Sequence, residues 1–106
     1  GELTIVTGAA RNVCRTISDL YDRALAEGHR PLILAMENHL AAYGDRRAES
    51  LGNDVEAMAH RIFALLRDAD ALGADVLFSE AVEAQGLGLA VMNRLGRAAA
   101  FHILEV

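Results

Sequence analysis

Pro31-Leu32-Ile33-Leu34-Ala35-Met36 carries no polar side chain over six consecutive positions. A strand with one face in water alternates apolar and polar residues, whereas a strand covered on both faces reads as an unbroken apolar run. Proline at its first residue forfeits only a terminal donor, so the run qualifies as a buried strand. Before it, Val13, Ile17, Leu20, Tyr21, Ala24 and Leu25 recur at helical spacing from about Arg11 to Glu27, and Gly28 supplies the stop. Earlier still, Leu3-Thr4-Ile5-Val6-Thr7 is a β-branched run that ends at Gly8.

After the central run, Glu37 to Gly52 has little periodicity. A short helical turn near Leu40–Tyr43 and a short edge strand near Arg47–Leu51 fit it. Asn53-Asp54-Val55-Glu56 then has the pattern of a helix cap with an acid three residues on. Val55, Met58, Ala59, Ile62, Phe63, Leu66, Ala69 and Leu72 mark one face of a long helix closed by Gly73. Asp75-Val76-Leu77-Phe78-Ser79 reads as another buried strand, with Glu80 at its carboxyl end. A loop through Gln85-Gly86-Leu87-Gly88 leads into a last helix, Leu89 to about Ala99, and Phe101-His102-Ile103-Leu104 closes the chain as a strand. This order predicts an α/β protein, a Rossmann-like three-layer α/β/α sandwich with a small, mostly parallel sheet of four to five strands. Nothing interrupts it, so residues 1–106 read as a single domain.

Composition narrows the chemistry. A chain 53% hydrophobic and 24% charged over 106 residues can bury a core without staples. No apolar run approaches the ~20 residues of a membrane span, and no signal peptide opens the chain, so the expectation is a soluble cytoplasmic domain with no membrane partner. The absence of an initiator Met favours a cut or processed chain. One cysteine, Cys14, excludes an internal disulfide and a Cys-rich zinc site. All ten cations are arginine, against fifteen acids, for a net charge of −5. A chain without lysine has neither a P-loop lysine nor a Schiff-base lysine. Its acidic balance argues against direct binding to nucleic acid.

Ligands of open α/β sheets sit beyond the carboxyl ends of the strands. Thr7 and Gly8, Glu37, and Glu80 with the Gly86 and Gly88 loop lie at such ends. Gly86-Leu87-Gly88 opens a helix, where free N–H groups favour an anion, although two glycines without a third also serve a plain turn. Asn93 fits a hydrogen bond to a neighbouring loop. Arg94 fits an ion pair with Glu80 or Glu83, or a ligand contact. The ligand-binding candidates are thus Thr7, Gly8, Glu80, Gly86, Gly88, Asn93 and Arg94. His29, His39, His60 and His102 lack a metal-ligand spacing, so no metal site is expected. Cys14 reads as a small packed residue, Asp68 and Asp70 diverge on their helix, and no Gly-x-Ser-x-Gly elbow occurs. No catalytic set is visible.

Leu65-Leu66-Arg67-Asp68-Ala69-Asp70-Ala71-Leu72-Gly73-Ala74-Asp75 and Gly86-Leu87-Gly88-Leu89-Ala90-Val91-Met92-Asn93-Arg94-Leu95, the latter leading to Ala98-Ala99-Ala100, nevertheless have a familiar form. They resemble the C-terminal domain of long-form threonylcarbamoyl-AMP synthases, enzymes that make the activated intermediate for threonylcarbamoyladenosine in tRNA. The resemblance is specific over Asn53–Ala100, and over residues 1–52 only the order of elements agrees. Gly96 departs from it, since the family usually has a basic residue there. The resemblance implies a Rossmann-like accessory domain without activity of its own. Binding of ATP, threonine and bicarbonate would then belong to a separate N-terminal catalytic domain, so ATP and magnesium are cofactors of the parent nucleotidyltransferase and none is expected in this chain. Its expected partners are that domain and the interdomain linker, in cis or in trans. Two other readings stand beside it. One is a free-standing nucleotide-binding module with its ligand near Gly86, Gly88 and Glu80. The other is a homodimer formed through an apolar helix face, which the twenty alanines would allow to pack closely.

Overall fold

Every residue from Leu32 to Ala35 is withdrawn from water, as the unbroken apolar run requires. In the computed structural model, which describes residues 2–80 and 101–106, this strand lies inside a five-stranded sheet. The elements in chain order are β1 (Glu2–Thr7), α1 (Ala10–Ala26), β2 (Pro31–Ala35), a 3-10 helix (Glu37–Tyr43), β3 (Ala48–Ser50), α2 (Val55–Arg67), β4 (Val76–Glu80) and β5 (Phe101–Glu105). The strands run in the order β3-β2-β4-β1-β5, and every pairing is parallel.

That order fixes the layers. The chain moves toward the β3 edge when α1 carries it from β1 to β2, and back again when α2 carries it from β3 to β4. Crossovers of one hand that travel in opposite directions must place their helices on opposite faces of the sheet. The side chains agree. Val13, Ile17, Tyr21 and Ala24 of α1 pack with Val6, Ile33, Ala35, Val76 and Phe78. Met58, Ile62 and Leu65 of α2 pack with Leu3, Ile5, Leu32, Leu34 and Leu77 on the other side. Neighbours along one strand thus feed two separate cores, as a period of two dictates.

Two elements differ from the sequence reading, one of them at both ends. Helix α2 stops at Arg67 instead of reaching Leu72, and the chain passes through turns in which the Leu72 and Gly73 N–H groups donate to the carbonyls of Asp68 and Asp70. Acids at 68 and 70 lie at the negative end of the helix dipole and disfavour its extension. The cap of α2 is Asp54, whose side chain accepts from the Ala57 N–H at 2.8 Å, one residue beyond Asn53. The short turn near Leu40 is a 3-10 helix that starts at Glu37. The last helix and the Gly86–Gly88 loop lie outside the described residues. Among the described residues, no helix is long and apolar enough to cross a membrane.

Candidate functional site

Strand β4 ends on a glutamate that the sheet carries out of solvent: Glu80 is 5% exposed. A carboxylate in such a place needs donors to replace its water. The segment after β2 supplies three. The Met36 N–H donates to Glu80 Oε1 at 3.0 Å, His39 Nδ1 lies 2.9 Å from the same oxygen, and the Tyr43 hydroxyl donates to Oε2 at 2.6 Å. Because a carboxylate only accepts, Nδ1 is the protonated nitrogen of His39 and Nε2 is the one left over. His39 and Tyr43 are four residues apart in the 3-10 helix, and β2 delivers that helix to the carboxyl end of β4. Tyr43 is fully buried. Burial first, and then the hydrogen bond to Glu80, push its phenol far above its ordinary range. The phenol is therefore a fixed neutral donor at physiological pH. Both oxygens of Glu80 are engaged, which suits the carboxylate to holding the 3-10 helix in place.

A groove of about 530 Å³ opens beside this cluster, between α1 and the 3-10 helix. Ala10, Arg11, Cys14, Arg15 and Ser18 line it from α1, and His39, Ala42 and Arg46 line it from the other wall. Helical spacing puts the first set on one stripe. The half-buried Cys14 approaches the Ala42 carbonyl, with sulfur to oxygen at 3.8 Å. Arg46 is bidentate on Asp22, at 2.9 and 2.8 Å, and donates to the Tyr43 carbonyl at 3.1 Å. That pairing holds the Asp22 carboxyl below its usual value.

The predicted residues fall in three places. Glu80 is at the centre of the cluster. Thr7 and Gly8 lie at the carboxyl end of the neighbouring β1, where Val6 is opposite Glu80 in register. They are engaged by Val106, whose N–H donates to the Thr7 carbonyl at 2.9 Å and whose carbonyl oxygen stands where a Cβ on Gly8 would be. Glu37 opens the 3-10 helix, and its N–H donates to the Gly52 carbonyl. Gly86, Gly88, Asn93 and Arg94 lie outside the described residues, as does any pairing of Arg94 with Glu83. Sequence reasoning missed Met36, His39, Tyr43 and the groove. The available signal was the four-residue spacing of His39 and Tyr43, inside a stretch with no clear periodicity. Among the described residues, no three His, Cys, Asp or Glu side chains come together as metal ligands would.

With this geometry in hand, known proteins give a consistent picture. The family model described as threonylcarbamoyl-AMP synthase, C-terminal domain, matches residues 2–100. The match thus extends into the first half of the chain, where only the order of elements had suggested it. A threonylcarbamoyl-AMP synthase of Pyrococcus abyssi is 36% identical over 105 residues, which are 99% of this chain and 30% of that protein. The crystal structure of that organism's Sua5 protein complexed with L-threonine superposes with a TM-score of 0.85 at 36% identity, over 100% of this chain and 30% of that one. The crystal structure of a C-terminal Sua5 domain from Pyrococcus horikoshii has a TM-score of 0.78 at 33% identity and covers 100% of this chain and 97% of that chain. The chain therefore spans under a third of the Pyrococcus abyssi protein but nearly all of a domain solved separately.

Proposed function

Because the chain belongs to the family of threonylcarbamoyl-AMP synthase C-terminal domains, we propose that it is a non-catalytic accessory domain acting in cis beside an N-terminal catalytic domain. The observation that carries this reading is the state of Glu80. Among the described residues it is the buried acid at the carboxyl end of the sheet, and both its oxygens hold the chain's own 3-10 helix. An acid so engaged positions a surface and does not present a free base to a substrate. In this reading ATP, magnesium, threonine and bicarbonate are handled by the catalytic domain, and the product serves tRNA modification in the cytoplasm. This domain's part is to set the linker or the partner domain over the active site. Its acidic balance of fifteen acids to ten arginines supports a protein partner over direct contact with nucleic acid or membrane.

The test compares the full synthase, its N-terminal part lacking these residues, and the present chain alone, each supplied with ATP, threonine and bicarbonate. Formation of threonylcarbamoyl-AMP is followed by mass spectrometry. The chain alone is expected to form none, and the truncated enzyme to lose activity that the chain restores in trans. Product from the isolated chain would overturn the reading.

A further inference from the structure

We propose that the groove between α1 and the 3-10 helix is a binding site for a small phosphomonoester, with its phosphate on Arg11 and Arg15 and its organic part against Ala10, Cys14 and Ala42. The inference stands on the groove's own chemistry and is independent of the accessory role. Among the described residues, three arginines line the groove and no acid does. Arg46 is neutralised by Asp22, whereas Arg11 and Arg15 make no ion pair among the described residues. They are one turn apart on α1, so both guanidinium groups can reach one anion. Two charges without an acid partner among the described residues match a dianion with three acceptor oxygens. A single carboxylate would satisfy only one arginine fork.

Helix α1 independently lacks what a closed surface would give it. Its N-cap, Ala9, offers no side-chain acceptor, and its first turn has no acid but does contain Arg11. Natural helices place anions there, and a cation at that end runs against the dipole. A bound phosphate would supply the missing negative charge. Departures of this kind from local preference concentrate at functional sites. On the opposite wall the ring of His39 is held through Nδ1 by Glu80, which leaves Nε2 as its remaining polar atom. The volume of about 530 Å³ is in the range of small-molecule pockets.

The experiment titrates the isotope-labelled chain with phenyl phosphate at low salt and follows its amide resonances. Saturating shifts are expected at Arg11, Cys14, Arg15, Ser18 and Ala42. Affinity should fall at least ~10-fold in the double variant Arg11→Gln/Arg15→Gln and stay unchanged in Arg67→Gln, which removes a remote positive charge. Benzoate, with the same ring and one negative charge, should bind at least ~10-fold more weakly than phenyl phosphate. Thermal melts confirm that each variant is folded. Absent or non-saturating shifts, equal binding to the double variant, or equal binding of benzoate would each overturn the proposal.

Discussion

Glu80 receives one hydrogen bond from the backbone after β2 and two from side chains of the 3-10 helix, so its substitutions separate charge from shape. Tyr43→Phe removes a 2.6 Å bond to a carboxylate and leaves the ring in place. Hydrogen bonds to charged groups contribute about 1.5–3 kcal/mol, so a loss of that size is expected in urea unfolding. Glu80→Ala should cost more, because it strands the buried Tyr43 hydroxyl as well as the Met36 N–H. A loss below about 0.5 kcal/mol for Tyr43→Phe would mean that the bond adds nothing, contrary to the expected range. The same phenol sets a pH dependence. Its folded value lies above the ordinary one, so above pH ~10 the unfolded chain loses this proton while the native protein keeps it. The native state then binds more protons, and stability falls as pH rises through that range. Unfolding midpoints measured from pH 8 upward should drop more steeply in the wild type than in Tyr43→Phe, and parallel slopes would refute the assignment. Asp75 acts in the opposite direction. The Arg30 N–H, donating at 2.7 Å, lowers its pKa, so the stability it contributes above pH ~4 is lost on acidification. Asp75→Asn should flatten that acid limb.

Just beyond β1, Gly8 shows how a glycine can be required by a neighbour as well as by its own turn. Gly8 has φ of +140°, and a Cβ there would collide with the Val106 carbonyl oxygen, whereas Gly28 has φ of +89° with open space around it. Gly28→Ala should therefore cost only backbone strain, about 1–2 kcal/mol. Gly8→Ala should cost distinctly more and should raise hydrogen exchange at the Val106 amide, because Val106 has to move away. Equal losses at the two sites would show that the close approach is immaterial. The buried strands and α1 were legible in the sequence because an unbroken apolar run decided the former and a helical period the latter. Between Glu37 and Gly52 the short helical turn and the edge strand were legible, but what anchors them was not, because distant partners define it. The Arg47 N–H donates to the Tyr21 hydroxyl, and Tyr43 is anchored on a glutamate 37 residues away. The site was half legible for the same reason. Glu80 stood out as an acid closing an apolar run, but its donors and the groove required knowing that β2 and β4 are neighbours.

For the whole molecule, the strand order places both hydrophobic cores on the same three interior strands, β2, β4 and β1. Leu77 packs under α2 and Phe78 under α1, although they are adjacent in β4. Since β4 pairs with both β1 and β2, neither core can open without breaking the sheet that supports the other. Leu77→Ala and Phe78→Ala should each cost about 2–5 kcal/mol, a large part of the stability of a domain this size. Despite acting in different cores, both should lower the midpoint of one and the same transition, with an unchanged dependence on denaturant. Two separate transitions in either variant would show that the layers fold independently. Native-state hydrogen exchange gives the complementary measurement. The amides of β2 and β4 should exchange only through global unfolding, while those of the three-residue edge strand β3 should exchange through cheaper local opening. If β3 proved as protected as β4, the edge would have to be covered by something beyond its pairing with β2, and a docked partner domain would be the first surface to look for there.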